Sequence, residues 1–299
     1  MLNEAYWERL PFKFTPPKNE VINRLWRGSI DMHLHPAPDM KKDRRLDAVQ
    51  LALSAQEAGM KAIVLKSTYY PTTPVAINVG PLAPNVKVIG SIALDYEVGG
   101  LNSTIVKCQA ILGAKVLWMP AMSSIQSRRG LGFTDGIAVL DSRGKLLPVV
   151  TEILHIVKEH NMVLCSGHLD FIESVVLFEE ANRLGITKLI ATHPLEGGMW
   201  PPFTLDQIKK VASMGAYIEH CFLSCSPVMN RYDPKKFIEA IKTIGAERTI
   251  LTTDMGQVTD PPQPEGMRML IAVMLQLGVS ETEVEFMVKT NPSKLLDLD

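Results

Sequence analysis

Two histidines that are separated by one residue, His33 and His35, end an apolar segment near the start of the chain. In an extended strand, side chains two residues apart share a face, so Asp31 would point the same way as both imidazoles. Two imidazoles on one face of a rigid strand can hold a single divalent metal ion. One pair of this kind is a weak signal, and its meaning depends on other polar residues that are placed in the same way.

Three further polar residues, His168, His193 and Asp254, each end a short apolar run, as His35 does. Neutral imidazole together with carboxylate suits zinc, and manganese and iron are also open. A water molecule bound to such an ion loses a proton near neutral pH and becomes a nucleophile. Because this set is hard to obtain by chance, it predicts metal-assisted chemistry. The predicted metal ligands are His33, His35, His168, His193 and Asp254.

Eight apolar runs, rich in β-branched residues, supply the elements that would position these side chains. Their spacing is near what a strand, a helix and two loops consume. Apolar strands that alternate with helices indicate a parallel sheet covered on both faces. Eight such units predict an α/β fold, a closed (β/α)8 TIM barrel, with an open doubly wound sheet as the alternative. The runs are 30–35, 61–66, 86–94, 114–121, 162–168, 187–193, 215–220 and 248–254.

Amphipathic segments between the runs predict helices over 46–59, 173–185 and 205–215, and each of them ends at a glycine. Thr204 is the candidate N-cap of the third helix. In a barrel, the carboxyl ends of the strands meet on one face, and this face carries the active site. The candidate ligands at the ends of strands one, five, six and eight should therefore converge.

The same pattern predicts the domain organisation. We expect residues 1–29 to form a capping segment and residues 30–299 to form one barrel domain. The fourth unit is longer than the others, and its extra residues predict an insertion over the barrel mouth, after strand four. Within this insertion, 136–146 predicts two short strands around a Ser-Arg-Gly turn.

Composition and charge limit the classes of function. Of the 299 residues, 46% are hydrophobic and 21% are charged, and the formal net charge is −1. This balance gives no electrostatic case for nucleic acid or an anionic membrane as partner. No apolar stretch approaches the ~20 residues of a transmembrane helix, and the N-terminus shows no secretory signal. The four cysteines lack a CxxC pair, so we expect free thiols and a cytoplasmic protein. The expected partner is a small-molecule substrate. A homo-oligomer is left open.

The ordered set of motifs resembles that of the amidohydrolase superfamily. That family has His-x-His at the end of strand one, histidines at the ends of strands five and six, and an aspartate at the end of strand eight. The tail 290–296 is similar to the Asn-Pro-Ala-x-Leu-Leu stretch that often follows strand eight there. The resemblance implies a barrel with a metal-activated water. The matching residues are His33 and His35, His168 in Cys-Ser-Gly-His, His193 in Ala-Thr-His-Pro and Asp254 in Thr-Thr-Asp-Met-Gly.

The resemblance also implies roles for individual residues. The residue matching Asp254 would be a metal ligand and a proton acceptor, and the residue matching His193 would be a ligand of a second metal or an electrophilic donor to the substrate. Two-metal members usually carry a lysine carbamate or a glutamate at the end of strand four. Here the lysine of strand four, Lys115, lies near its start, which favours one metal per chain over two. The chain is nearer the phosphotriesterase-like and decarboxylase-like branches, which lack a terminal β-sandwich.

Lys66 ends strand two at the predicted mouth, on the face of Ala62 and Val64. Three roles are open for it. A lysine there would bind an anionic substrate group as an ammonium, bridge two metals as a carbamate, or be solvated.

Four more residues are candidates for substrate binding. Tyr69 follows Lys66 and would line the pocket, and Arg128 in the long fourth loop would pair with a substrate carboxylate. Glu219 and His220 end strand seven, where alternation lets only one of them face the pocket. We expect this residue to be Glu219.

The leading hypothesis is a metal-dependent hydrolase of a small-molecule amide, lactam or lactone. Asp254 would take the proton of the attacking water and pass it to the leaving group, while His193 or Lys66 would stabilise the oxyanion. One alternative is a non-hydrolytic decarboxylase or hydratase on the same fold. A phosphoesterase-type metallo-barrel is a second, although the Asp-x-His that it typically adds is missing at Asp254-Met255-Gly256. A barrel used only for binding is the third.

Overall fold

Parallel strands form the centre of the protein. The computed structural model describes residues 16–298, and within this range nine short strands lie in two sheets, each strand parallel to its neighbours. The first sheet has the order β1 (Ile30–Leu34), β2 (Ala62–Leu65) and β3 (Lys87–Ile89). The second has the order β4 (Ser91–Ala93), β5 (Val116–Trp118), β6 (Val163–Cys165), β7 (Leu189–Ala191), β8 (Tyr217–Cys221) and β9 (Thr249–Thr252).

The two sheets meet at both of their edges. Gly90 alone separates β3 from β4, so the predicted run 86–94 supplies both strands. At the other edge, the backbone N–H of Asp254 donates to the carbonyl of His33 over 2.7 Å, and that of His35 donates to Met255 over 2.9 Å. The strand order therefore returns from β9 to β1. Each of the eight predicted runs contains a strand, and the predicted α/β fold class is confirmed.

Helices connect most of the strands and cover them on the outside. The predicted helices 46–59, 173–185 and 205–215 correspond to the helices Ala48–Glu57, Phe171–Arg183 and Leu205–Ser213. Nowhere between residues 16 and 298 is a helix long and apolar enough to cross a bilayer. The helices are α1 (Asn19–Trp26), α2 (Ala48–Glu57), α3 (Thr73–Val79), α4 (Ser103–Ile111), α5 (Ile125–Gly130), α6 (Pro148–Glu159), α7 (Phe171–Arg183), α8 (Leu205–Ser213), α9 (Phe222–Cys225), α10 (Lys235–Ile244), α11 (Gln263–Gln276), α12 (Glu281–Glu285) and α13 (Asn291–Leu296).

Local sequence determines where the predicted helices begin. The Asp47 side chain accepts the backbone N–H of Gln50 at the start of α2, and the predicted cap Thr204 accepts that of Gln207 at the start of α8. In both cases the glutamine side chain also accepts the backbone N–H of the cap. Such a capping box satisfies two otherwise unpaired N–H groups, and a cap contributes about 1 kcal/mol.

Alternation along the strands divides the core into two layers. One face of β2, with Ala62 and Val64, packs inside the barrel together with Trp118 of β5. The other face, with Ile63, packs against the helices. Lys66 continues the face of Ala62 and Val64, so its side chain enters the carboxyl end of the barrel interior, as the sequence predicts.

β1 departs from strict alternation at the His-x-His segment. Its register against β2 shifts after Asp31, which marks a bulge or irregularity. Met32 packs in the interior, and yet the next residue, His33, also lies there, against Glu219. Bulges re-aim side chains and are frequent next to active sites. The expectation that Asp31 faces the same way as both histidines is therefore corrected, because its carboxylate accepts the backbone N–H and the hydroxyl of Thr253 instead.

The insertion after β5, which is the fourth of the predicted strands, differs from the prediction. It begins with the short helix α5, whose N-cap is Ser124, and the two expected strands reduce to one antiparallel bridge between Leu140 and Leu146. The predicted capping segment 1–29 lies partly outside the described residues. Its described part contains α1, which buries Ile22 and Leu25.

Candidate metal centre

The carboxylate of Asp254 links the two histidines of the His-x-His segment. Its Oδ1 atom lies 3.0 Å from Nε2 of His33 and 2.9 Å from Nε2 of His35. The His33 side chain is fully buried, whereas 12% of the His35 side chain and 16% of the Asp254 side chain are exposed. These three residues form a floor that solvent reaches from one side.

Glu219 orients the His33 ring from behind. Its Oε1 atom lies 3.2 Å from Nδ1 of His33 and accepts the hydroxyl of Thr252 over 3.2 Å. When the His33 proton is on Nδ1, the Nε2 lone pair points towards Asp254. A carboxylate behind a ligating imidazole is usual in metal sites, because it fixes the tautomer and raises the basicity of the ligand.

The close approach of these donors requires a positive charge among them. Burial would lower the pKa of His33, but the charges of Asp254 and Glu219 outweigh burial and Lys66 and raise it to about 9. Burial would raise the pKa of Asp254, whereas the charge and hydrogen bonds of the two histidines hold it well below its usual range. In the absence of a metal ion, a proton on His33 supplies this positive charge. A divalent ion fits the same donors, because imidazole nitrogens and carboxylate oxygens are ligands that zinc takes.

The amine of Lys66 lies beside this group. Its Nζ atom is 2.9 Å from Nε2 of His33 and 5.1 Å from the ring centroid of Trp118. Trp118 ends β5, the fourth predicted strand, at the end where two-metal members of the resembled family usually carry a lysine or a glutamate, and its ring centroid is 5.6 Å from that of His33. A lysine thus reaches the centre from β2 rather than from β5. Whether it acts as an ammonium or as a carbamate stays open.

His168 and His193 form a second group beside the first. Their ring centroids are 5.0 Å apart, and the ring of His193 stacks against that of His33 at 5.8 Å. The indole of Trp200 stacks on His168 at 3.8 Å, and the hydroxyl of Ser127 lies 2.8 Å from Nδ1 of His168. Burial lowers the pKa of His193 to about 4 and that of His168 well below its usual value. Both imidazoles are therefore neutral, which is the form that binds a metal.

Two sets of three potential donor atoms lie within 4.8 Å of one another among residues 16–298. The first set is His33, Cys221 and Asp254, and the second is His33, His193 and Glu219. His35 and His168 belong to neither set, although His35 contacts Asp254 directly. Burial raises the pKa of the Cys221 thiol well above its usual value.

Unusual backbone geometry directs two of the candidate ligands. The φ angle is 26° at His193 and 52° at Asp254. A non-glycine residue in this region costs on the order of 1 kcal/mol, and such residues cluster at functional sites. Close packing next to the ligands also requires glycine. A Cβ would lie 2.2 Å from a backbone carbonyl oxygen at Gly167, which precedes His168, and 2.3 Å from that of His35 at Gly256.

A cavity of about 430 Å³ opens above this floor. Its volume suits a small molecule. Tyr69 lines the cavity, as the sequence predicts, and Trp200 covers the side of His168. Candidate residues that line it are His35, Lys66, Tyr69, His168, His193 and Asp254.

Neither His220 nor Arg128, two of the candidates for substrate binding, lines the cavity. Alternation along β8 turns Glu219 inwards and His220 towards the helices, where its ring stacks on Phe237 at 4.6 Å. Arg128 donates to Asp135 over 2.6 Å, so its charge is already paired. Glu219, the residue favoured for strand seven, contacts His33 below the floor rather than the cavity itself.

Several residues of the site were not found from the sequence. Cys221 lies two positions after Glu219 on the same strand face, so alternation could have identified it. Ser127, Trp200 and Arg231 lie on α5 or on loops that follow other strands, and no local pattern predicts their approach to the histidines.

Comparison with known proteins places the chain in a family and a fold. The model of the family of unknown function DUF6282 matches residues 28–219, more than half of the chain. No curated protein matches this chain.

Three solved structures are similar in fold. An amidohydrolase from Pseudomonas aeruginosa is 12% identical, with a TM-score of 0.63 and coverage of 93% of this chain and 97% of that chain. The probable dipeptidase PvdM from Pseudomonas aeruginosa is 12% identical, with a TM-score of 0.64 and coverage of 94% and 98%. A 2,6-dihydroxybenzoate decarboxylase from Rhizobium is 13% identical, with a TM-score of 0.58 and coverage of 91% and 99%. The chain therefore belongs to the family of unknown function DUF6282 and shares the fold of these three structures.

Proposed function

We propose that this protein is a metal-dependent hydrolase that cleaves an amide, lactam or lactone bond of a small molecule. One observation carries the proposal: Oδ1 of Asp254 lies within 3.0 Å of Nε2 of both His33 and His35 at the floor of the cavity. A purely structural ion pair would not need two imidazoles on one carboxylate oxygen, next to two further neutral histidines.

The residues that would hold the metal are His33, His35, His168 and Asp254, with one ion per chain and zinc as the first choice. When bound, such an ion polarises a carbonyl group and lowers the pKa of water at the site. Glu219 keeps His33 in the tautomer that exposes Nε2, and Ser127 orients His168 through Nδ1. These contacts reduce the freedom that the two rings would otherwise lose when the metal binds.

Asp254 would move the proton. Its carboxylate stays ionised, because the histidines hold its pKa well below the usual range, and its exposed fraction faces the cavity. Oδ1 or Oδ2 would accept a proton from the attacking water and deliver it to the leaving group. The imidazole of His193 and the amine of Lys66 line the same cavity and would stabilise charge on the carbonyl oxygen of the substrate.

A non-hydrolytic lyase is the second candidate. The similar structures include a protein described as a probable dipeptidase and another described as a decarboxylase, so this fold is found with both kinds of chemistry. Trp118 ends β5, so this strand provides no lysine that could bridge two metals. A site with one metal favours the lyase alternative.

Metal analysis followed by isotope labelling would test the proposal. We expect zinc-reconstituted protein to hold one ion per chain and to hydrolyse at least one member of a panel of lactones, lactams and N-acyl amides. In ¹⁸O-labelled water the product should contain one ¹⁸O atom, and Asp254→Asn should lower the rate at which labelled product forms about 10²- to 10³-fold. Release of CO₂ without ¹⁸O in the product would establish the lyase instead. A protein that takes up no divalent metal would exclude both.

The cysteines bear on the compartment. All four are free thiols, with Cys165 and Cys221 buried. We propose a reducing compartment such as the cytoplasm, where these thiols would persist.

A further inference from the structure

Charge around the mouth of the cavity is distributed unevenly. Two arginines line the cavity, Arg44 and Arg231. The guanidinium of Arg44 is 2.6 Å from the carboxylate of Asp39, and both side chains are largely buried. Arg231 has no carboxylate within 4.0 Å in the part of the chain that the structure describes. It is therefore the cavity arginine whose guanidinium is available to an anion.

The acidic residues of the cavity do not neutralise Arg231, because they have other partners. Asp254 contacts His33 and His35. The carboxyl of Glu196 is buried and accepts the backbone N–H of Cys221 over 2.9 Å. The cavity consequently carries an excess of positive charge, to which the side chains of Lys42 and Lys66 add.

The main chain of Arg231 is hydrogen-bonded to the segment that follows β8. Its N–H donates to the carbonyl of Ser224 over 2.9 Å, just beyond β8, and the hydroxyl of Ser224 donates to the carbonyl of Cys221 over 3.1 Å. On the opposite side, Nη1 of Arg231 would lie 3.7 Å from a Cβ at Gly198. The guanidinium therefore lies close to the loop after β7, which also carries Trp200 of the cavity lining.

Apolar and aromatic side chains form a large part of the remaining lining. A carboxylate on an apolar body matches this combination better than a phosphate dianion, since a second negative charge costs more to remove from water. Arginine suits a carboxylate in particular, because its planar fork can donate two parallel hydrogen bonds. The apolar and aromatic lining residues include Met122, Leu131, Met199, Trp200, Leu223 and Met229.

We propose that the substrate carries a carboxylate, which Arg231 binds at the mouth with help from Lys42, while the bond to be cleaved lies at Asp254. This inference rests on the proposed function for the position of the reacting bond. It assigns specificity to Arg231 in place of Arg128, whose charge is paired with Asp135.

Calorimetric binding of two probes of equal shape tests the proposal without any turnover. We would titrate zinc-loaded protein with 3-phenylpropionate and with its neutral amide, 3-phenylpropionamide. The carboxylate should bind at least about tenfold more tightly, and Arg231→Gln should remove about tenfold of its affinity while leaving amide binding unchanged. Arg143→Gln, on an exposed turn outside the cavity lining, is the matched control and should change neither.

The outcomes separate this inference from the proposed function. The carboxylate inference would be overturned if the two probes bound equally or if neither bound. Unchanged carboxylate affinity in Arg231→Gln would also overturn it, because the carboxylate would then bind the metal alone. Tighter binding of phenylphosphonate than of the carboxylate would overturn the choice of anion. If Arg231→Gln does not fold, Lys42→Gln must give a smaller loss in the same direction. Arg231-dependent binding by a protein that hydrolyses no member of the panel would remove the proposed reaction and leave the anion site.

Discussion

The two groups of candidate ligands at the cavity, the floor and the pair His168 and His193 beside it, are built in different ways. On one side, Asp254 joins His33 and His35 through contacts of 3.0 and 2.9 Å, and Glu219 supports His33 from behind. On the other side, ring stacking with Trp200 and one contact to Ser127 hold His168. The first side is a network of charged and polar donors, and the second is a stack of neutral rings.

This difference follows from the backbone beneath each side. Hydrogen bonds between the end of β1 and the segment after β9 fix the first group, including the 2.7 Å bond from Asp254 N–H to the carbonyl of His33. His168 and His193 follow β6 and β7, and Trp200 reaches them from a loop. A network between adjacent strands should dominate metal affinity, whereas the stacked side should contribute less and adjust to the substrate. The following variants test this contrast.

Replacement of His33 by Ala should have the largest effect, because it removes a donor shared by both close sets and the partner of Glu219. We expect the zinc content to fall to background and kcat/KM to fall on the order of 10³-fold. Elemental analysis after dialysis and steady-state kinetics would measure both. His155→Ala on α6 is the matched control, and full metal occupancy in His33→Ala would contradict the assignment.

Asp254→Asn should follow. The amide keeps the shape of the side chain but cannot accept a proton at neutral pH, so kcat should fall about 10²- to 10³-fold with the fold preserved. Kinetics and circular dichroism would check the two parts, with Asp206→Asn on α8 as the control. Turnover near that of the wild type would show that the base is another residue.

His168→Ala tests the stacked side. We expect it to weaken zinc binding less than His33→Ala does, because His168 belongs to neither close donor set. Competition with a chromogenic chelator would give both affinities under the same conditions. Equal losses in the two variants would show that the two sides hold the metal equally and would remove the contrast drawn here.

Glu219→Gln should weaken zinc binding about 10- to 100-fold, which is typical when the partner behind a ligating imidazole is lost. The glutamine can present its NH₂ group to Nδ1 of His33 and so favour the wrong tautomer. The same chelator assay would measure the affinity, and Glu265→Gln on α11 is the control. An unchanged zinc affinity would mean that Glu219 only fills space below the floor.

Lys66→Met should have the smallest effect on the metal. If the amine binds substrate as an ammonium, KM should rise about tenfold with one metal retained, since a hydrogen bond to a charged group is lost. Kinetics and metal counting would decide, and Lys61→Met at the other end of β2 is the matched control. The carbamate would be established if the wild type held two metals and Lys66→Met had lost one of them. Added bicarbonate should then aid reconstitution of the metal-free wild type but not of the variant.

Much of this arrangement could be predicted from the sequence, because it follows from period and order along the chain. The eight apolar runs indicated the strands, and the glycines and Thr204 indicated the ends of the helices. Alternation through Ala62 and Val64 placed Lys66 inside the barrel, and alternation along β8 favoured Glu219 over His220. These predictions needed only the geometry of single strands and helices.

Tertiary structure decided what depends on two or more chain segments. The bulge that turns His33 inwards beside Met32 arises where β1 pairs with β2, and strict alternation in one strand could not show it. The pairing of Arg128 with Asp135, the stacking of Trp200 on His168 and the placement of Arg231 at the cavity depend on the course of loops and of α5. The sequence by itself thus determined which strand-end residues reach the carboxyl end of the barrel. Only the packing of distant segments decided which of them touch, because such contacts have no period along the chain.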